Sequence, residues 1–415
     1  MSTRTTTLGL CQFTLRQVSL YGIPQREDRL RPDRLATLSL HSLSCTFPLP
    51  RPDLADYKLH LLELPSACAL RETVHRKLAA LDMTLDPAWL QSAAIIRNAT
   101  QLLHANDRPI DPRLTHKLTG HDDKVLCIAV SADGSRVVSA SRDRKAKVWD
   151  ATTGEELCTF DKHSSCVWCI ALFSGDSQAV SGGNDYTVRI WSLATGTELR
   201  ALEGHTGGVM GVAVSPNNLT VASASMDYTI KLWNVISGQC SATLGEFSKE
   251  MSCVAFSPDG ETLAGGSFDK TIRLWNVCNL DDARLLREFK AHDNNVMRVT
   301  FSVDGTRLLS ASDDKKVKVW RGQWRGQRRT ERPDMTFEEH GSGVQCVTVF
   351  PDDEMVASSS VDGTIRIWKA YSGDGQSIYT LEEHEECVHC VAVSRDGNTL
   401  VSASTDRSIQ VWAMR

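Results

Sequence analysis

No apolar run in the 415 residues approaches the ~20 that cross a bilayer, so no membrane partner is expected. The formal charge of −5 carries no excess of one sign that would draw the whole chain to nucleic acid or acidic lipid. There is no G-x-x-x-x-G-K-[ST] phosphate loop, no G-x-S-x-G elbow and no H-E-x-x-H helix. No catalytic constellation emerges, so neither an enzyme nor a cofactor is expected. Acidic residues are missing before Glu27, and the Ser/Thr-rich start with Arg4 and Arg16 shares the composition of an organelle transit peptide. Cytoplasm or nucleus is the default expectation. Cysteine, by contrast, is plentiful: thirteen residues, an odd and scattered set unlike a short secreted framework, which reads as reduced thiols.

What is present is a ruler. Tryptophans fall at Trp149, Trp191, Trp233, Trp275, Trp320, Trp368 and Trp412, spaced 42, 42, 42, 45, 48 and 44 apart. Twenty-eight positions before each lies His121, His163, His205, Phe247, His292, His340 or His384. Six positions before each lies Asp143, Asp185, Asp227, Asp269, Asp314, Asp362 or Asp406, and two residues ahead of it Ser141, Gly183, Ser225, Ser267, Ser312, Ser360 or Ser404. Val-rich runs such as Val209–Val214 have strand composition, and Asp-Tyr-Thr or Asp-Gly-Thr segments supply turns.

This pattern resembles the WD-repeat β-propeller family over roughly residues 113–415. The resemblance implies an all-β fold of seven four-stranded blades. It also implies that the His, Ser, Asp and Trp of each repeat form a buried hydrogen-bonded chain, broken or shortened where Phe247 replaces the His and Gly183 the Ser. Three residues before each His position stands an apolar side chain: Leu118, Phe160, Leu202, Leu244, Phe289, Phe337 and Leu381. Leu118 precedes the first repeat, and the sequence stops three residues past the last Trp. Arg113–Thr119 is therefore expected to supply the missing outer strand of the seventh blade, closing the ring and removing its exposed edges.

Residues 1–53 read as disordered, being rich in Ser, Thr, Arg and Pro. Residues 54–112 are expected to contain helix: Asp86-Pro87 is a start signal, and Trp89, Leu90, Ala93, Ile96, Ala99 and Leu103 fall near one face. A small cap on the propeller and a docking module both fit that segment. Leu64-Pro65 with Leu78 and Leu81-Asp82 is similar to an F-box, which implies the alternative of a substrate receptor for a ubiquitin ligase. Helices leading into a propeller are also similar to the tail of NACHT-type WD-repeat proteins, here without a phosphate loop.

Cys166-Val167-Trp168-Cys169 invites a redox or zinc reading. However, position six after the His is Cys127, Cys169, Gly211, Cys253, Arg298, Cys346 and Cys390, a small-residue slot of the innermost strand. Cys166 and Cys387 stand three residues earlier, and an odd offset along a strand sends side chains to opposite faces. No metal is expected. Position three after the His, position five, and the residue before the turn Asp are implied by the family to open at the channel mouth on the top face. These are Lys124, Leu126 and Arg142; Cys166, Trp168 and Asn184; Gly208, Met210 and Met226; Glu250, Ser252 and Phe268; Asn295, Met297 and Asp313; Gly343, Gln345 and Val361; and Cys387, His389 and Thr405. Trp168, Met210, Met226, Phe268 and Met297 then make an apolar arc on four consecutive blades, flanked by Lys124 and Arg142; packing of these side chains between blades is the alternative. The run RGQWRGQRRTER at 321–332 is the one strongly basic stretch: a solvated loop or an anion site, and the only nucleic-acid candidate. The expectation is a scaffold that takes a protein or peptide partner on its top face.

Overall fold

The computed structural model describes residues 111–414 apart from 246, 323, 325–331 and 371–374. The expectations for residues 1–53 and for helix after residue 54 lie outside these, except that Pro112 begins a strand.

The third repeat shows how the sequence builds a blade. Its strands are Val209–Val214, Thr220–Ser225, Ile230–Asn234 and Cys240–Leu244, ordered from the centre outwards. β-Branched residues suit a pleated surface, and Val209, Val221 and Ile230 are fully buried on it. The first turn is held by Ser215, whose hydroxyl donates to Asn217 Oδ1 and accepts from Thr220 N. In the second turn Asp227 Oδ1 accepts from Thr229 N at 3.0 Å, which holds Tyr228 at φ +67°. Asp side chains that capture backbone N–H groups two residues on are a common way to pin such turns.

The same four-stranded antiparallel sheet occurs seven times among the described residues, and each inner strand packs against the inner strands of the blades before and after it. The first sheet neighbours the last, so the array is a closed ring. Closure is made by Pro112–Thr119, which pairs antiparallel with Ser408–Met414 from Pro112↔Met414 to Thr119↔Ser408. The core lies between blades. Phe160 on the outer strand of the first blade stacks on Trp191 of the second, centroids 4.9 Å apart, and Phe337 does the same to Trp368 at 4.9 Å. Burying each such side chain contributes about 1.5–3 kcal/mol.

Candidate protein-docking face

In six blades a buried hydrogen-bonded chain runs from the turn Asp to the Trp. In the third, His205 Nδ1 lies 2.6 Å from Asp227 Oδ2, His205 Nε2 lies 2.7 Å from Ser223 Oγ, and Trp233 Nε1 donates to the same oxygen at 2.7 Å. The same set joins His121, Asp143, Ser139 and Trp149, and His163, Asp185, Ser181 and Trp191. It recurs at His292, Asp314, Ser310 and Trp320, at His340, Asp362, Ser358 and Trp368, and at His384, Asp406, Ser402 and Trp412. One proton assignment satisfies all partners: Nδ1–H donates to the carboxylate, Ser O–H donates to Nε2, and indole N–H donates to Ser Oγ. Burial pushes the Asp143 carboxyl up, but the His121 hydrogen bond and the N–H groups of Lys145 and Asp122 outweigh it and hold the carboxyl below its usual range. By the same balance Asp314 is held down to about 2.

The bridging serine stands two residues before the one expected. Ser141, Ser225, Ser267, Ser312, Ser360 and Ser404 are buried, but their hydroxyls bond the turn and the loop entering the inner strand instead of the His or the Trp. Ser225 Oγ donates to Gly207 O at 3.0 Å and accepts from Asp227 N at 3.1 Å, and Ser267 repeats this with Glu250 O and Asp269 N. Ser141, Ser312, Ser360 and Ser404 act alike. Gly183 therefore breaks nothing: the second blade keeps its chain through Ser181.

The fourth blade keeps Asp269 and Trp275 at the ends of the chain but lacks both middle members, with Phe247 for His and Gly265 for the bridging Ser. A Cβ at Gly265 would sit 2.9 Å from Ile230 Cδ1 and 3.0 Å from Trp275 Cζ3, so the indole has closed over the space of the hydroxyl. Arg273 replaces the lost imidazole as partner of Asp269, donating from Nη2 to Asp269 Oδ2 at 2.7 Å and to Glu288 Oε1 at 3.0 Å. Its guanidinium lies 4.7 Å from the Phe247 ring centroid. Beside it opens a cavity of about 480 Å³ lined by Phe247, Arg273, Trp275, Leu285 and Glu288 among others.

The top-face residues are positioned by a bulge repeated in every blade. In the second, Val167 pairs with Gly183 and Cys169 with the adjacent Gly182, leaving Trp168 as the extra residue. Leu126, Met210, Ser252, Met297, Gln345 and His389 occupy the same place. A bulge re-aims the side chain it carries. Backbone bonds then join the other two positions: Arg142 N to Lys124 O, Asn184 N to Cys166 O, Met226 N to Gly208 O and Phe268 N to Glu250 O. The same bond joins Asp313 to Asn295, Val361 to Gly343 and Thr405 to Cys387. Each blade thus presents one assembled trio. Trp168, Met210, Met226, Phe268 and Met297 are all half-buried, which leaves each partly open to solvent. Trp168 Nε1 is buried without a hydrogen-bond partner.

The other half of the mouth is polar. Asn295 Nδ2 and Gln345 Nε2 both donate to the Asp313 carboxylate, at 3.2 and 3.1 Å, and His389 Nε2 lies 2.8 Å from Thr405 Oγ1. Burial, with the charge of Lys124 added to it, pushes the His389 imidazole down to about 4. Lys124 is half-buried, and Arg142 is exposed 3.7 Å from Asp123. Ser252 departs from the expected open position: it is buried, donating to Gly266 O at 3.0 Å.

Cys166 and Cys169 are both free thiols, the first half-buried and the second buried with Sγ 3.6 Å from Val209 O. No group of three or more His, Cys, Asp or Glu among the described residues is arranged to hold a metal ion. Sequence reasoning missed a different grouping. At the hub, Cys390 Sγ lies 3.8 Å from Cys127 Sγ and 3.7 Å from Cys346 Sγ, in three successive blades. The basic run also differs from a wholly solvated loop. Trp324 is buried against Phe301, its centroid 6.0 Å away, and donates to Gly305 O at 3.0 Å, while 323 and 325–331 lie outside the described residues.

Seven segments, 112–150, 154–192, 196–234, 238–276, 283–321, 331–369 and 375–413, match the family pattern described as "WD domain, G-beta repeat". Local similarity links the chain to three curated proteins. Periodic tryptophan protein 2 of Saccharomyces cerevisiae is 57% identical over 44 residues, 11% of this chain and 5% of that protein. Vegetative incompatibility protein HET-E-1 of Podospora anserina is 42% identical over 69 residues, 17% and 4% of the respective lengths. Protein Mut11 of Chlamydomonas reinhardtii is 45% identical over 47 residues, 11% and 13%. The matches thus span only a small part of any of these relatives.

Proposed function

Because the chain belongs to the WD domain, G-beta repeat family, whose propellers generally act as platforms for protein partners, we propose that it is a non-catalytic scaffold binding a peptide or protein on the face formed by Trp168, Met210, Met226, Phe268 and Met297. The observation that carries this reading is the recurrent bulge, which lifts Trp168, Met210 and Met297 out of the inter-blade packing into half-exposed positions. Val167 and Cys169 beside Trp168, Val209 and Gly211 beside Met210, and Val296 beside Met297 are buried. A Trp anchor among adaptable thioethers suits recognition of an apolar side chain. Lys124 and Arg142 on the first blade supply cations for carboxylates beside it.

The test is capture of interacting proteins by wild type, Trp168→Ala and Met210→Ala chains, with thermal melts alongside. Weakened capture at a nearly unaltered melting temperature supports the reading. Early unfolding of both variants would make these residues core and remove the site.

A further inference from the structure

The hub of the ring carries three thiols that only closure brings together. Cys346, Cys390 and Cys127 fill the same slot in the inner strands of the sixth, seventh and first blades, and Cys390 stands between the other two at 3.7 and 3.8 Å. Each is also within reach of a carbonyl on the next blade: Cys346 Sγ to Val391 O at 3.5 Å, Cys390 Sγ to Ile128 O at 3.7 Å and Cys127 Sγ to Ile170 O at 3.8 Å. The three sulfurs are therefore held in a row along the seam where the closing blade meets its two neighbours.

The fifth blade places Arg298 in this slot, where cysteine or glycine stands elsewhere. Burial disfavours its charge, but the surrounding sulfurs of Cys346, Cys390, Cys127 and Cys253 outweigh that and raise its pKa above the ordinary value. The relation is mutual. The contact with the Cys390 sulfur, whose single S–H serves one neighbour at a time, lowers Cys127 and Cys346 against burial, and the Arg298 charge assists, whereas Cys390 is raised. Arg298 is half-buried, whereas Cys127, Cys346 and Cys390 are themselves buried.

We propose that this trio is an oxidative modification site for a small peroxide, in which Cys390 is the shared resolving thiol for Cys346 and Cys127. The thiolate of Cys346 or Cys127 attacks a peroxide oxygen, the O–O bond breaks, and hydroxide leaves to take up a proton, giving a sulfenic acid. Cys390 then loses its proton and attacks that sulfur, the S–O bond breaks, and a second water leaves. Two thiols and one hydrogen peroxide become one disulfide and two waters; sulfur gives up the electron pair that the peroxide gains. Sulfurs 3.7–3.8 Å apart need to close by somewhat less than 2 Å to reach the ~2.05 Å of a disulfide. Cys390 can serve only one neighbour at a time, so oxidation joins the closing blade to the sixth or to the first. The burial of all three thiols favours a small oxidant over a bulky disulfide such as oxidised glutathione.

The experiment treats the folded full-length chain with hydrogen peroxide, blocks remaining thiols after denaturation, and maps disulfides by mass spectrometry without reduction. The expected result is Cys346–Cys390 and Cys127–Cys390 linkage. Cys127→Ala keeps the first alone, Cys346→Ala the second alone, and Cys390→Ala abolishes both; a small residue is tolerated, since Gly211 fills the slot in the third blade. Exposed Cys240 is the internal control for peroxide dose. Should Cys240 be oxidised while Cys390 stays reduced, or should Cys390 link only once the chain is unfolded, the proposal is overturned.

Discussion

Ser223→Ala and Ser225→Ala remove hydroxyls two residues apart on one strand, both fully buried, and separate two assignments of the bridging role. Ser223 Oγ is shared by His205 Nε2 and Trp233 Nε1, each at 2.7 Å. Its loss leaves two buried polar groups unsatisfied at about 1–3 kcal/mol apiece, so roughly 2–6 kcal/mol in all. Ser225 Oγ serves Gly207 O and Asp227 N, which belong to half-buried residues, and its loss costs about 1 kcal/mol. At roughly 2–4 °C per kcal/mol, Ser223→Ala lowers the melting temperature by about 4–24 °C and Ser225→Ala by about 2–4 °C. Differential scanning calorimetry of the two single variants decides the matter. An equal or larger drop for Ser225→Ala would refute the bridge at Ser223. The fourth blade does not anticipate the result, because there Gly265, Phe247 and Arg273 change together.

The turn aspartates, with folded pKa values below the unfolded ~3.9, stabilise the ring above that value and lose their contribution as pH falls towards about 2, where Asp314 titrates. His292, lowered by burial, also costs stability as pH drops below ~6.5. Melting temperature is therefore expected to decline gently below pH 6.5 and steeply below about 4, and a maximum near pH 3 in a calorimetric series would contradict this. Gly211→Ala places a Cβ 2.8 Å from Cys253 Cα, forcing two inner strands apart at a cost of about 1–3 kcal/mol by thermal melt. Arg273→Met strips Asp269 of its buried counter-ion and costs about 3–5 kcal/mol. Arg189→Met loses a pair with the partly exposed Glu198 while Asp185 keeps His163, so its cost is about 1 kcal/mol or less; denaturant titration of both variants tests the contrast.

Seven Asp and Trp and six His at fixed spacing made the blades legible because in six of them these residues span one hydrogen-bonded geometry. The serine was misplaced because residues two apart on a strand share a face, and spacing alone does not separate them. The signal lay in the exceptions. The fourth blade drops its His together with the serine that Gly265 replaces, whereas the second keeps His163 despite Gly183, which marks the serine at the Gly265 position as the His partner. The trios joined by backbone bonds were named from family geometry as a top face, but the bulge at Trp168 has no composition of its own. The thiol row was illegible for a plainer reason: Cys127 and Cys390 are 263 positions apart and meet only across the closing seam.

The register of that seam has a mechanical consequence. Pro112 lies opposite Met414, so tension applied through the flanking segments loads the antiparallel bonds one after another from a single end. The ring parts like a zip under modest force instead of shearing all at once, and the first surface it bares is the unpaired edge of Ser408–Met414.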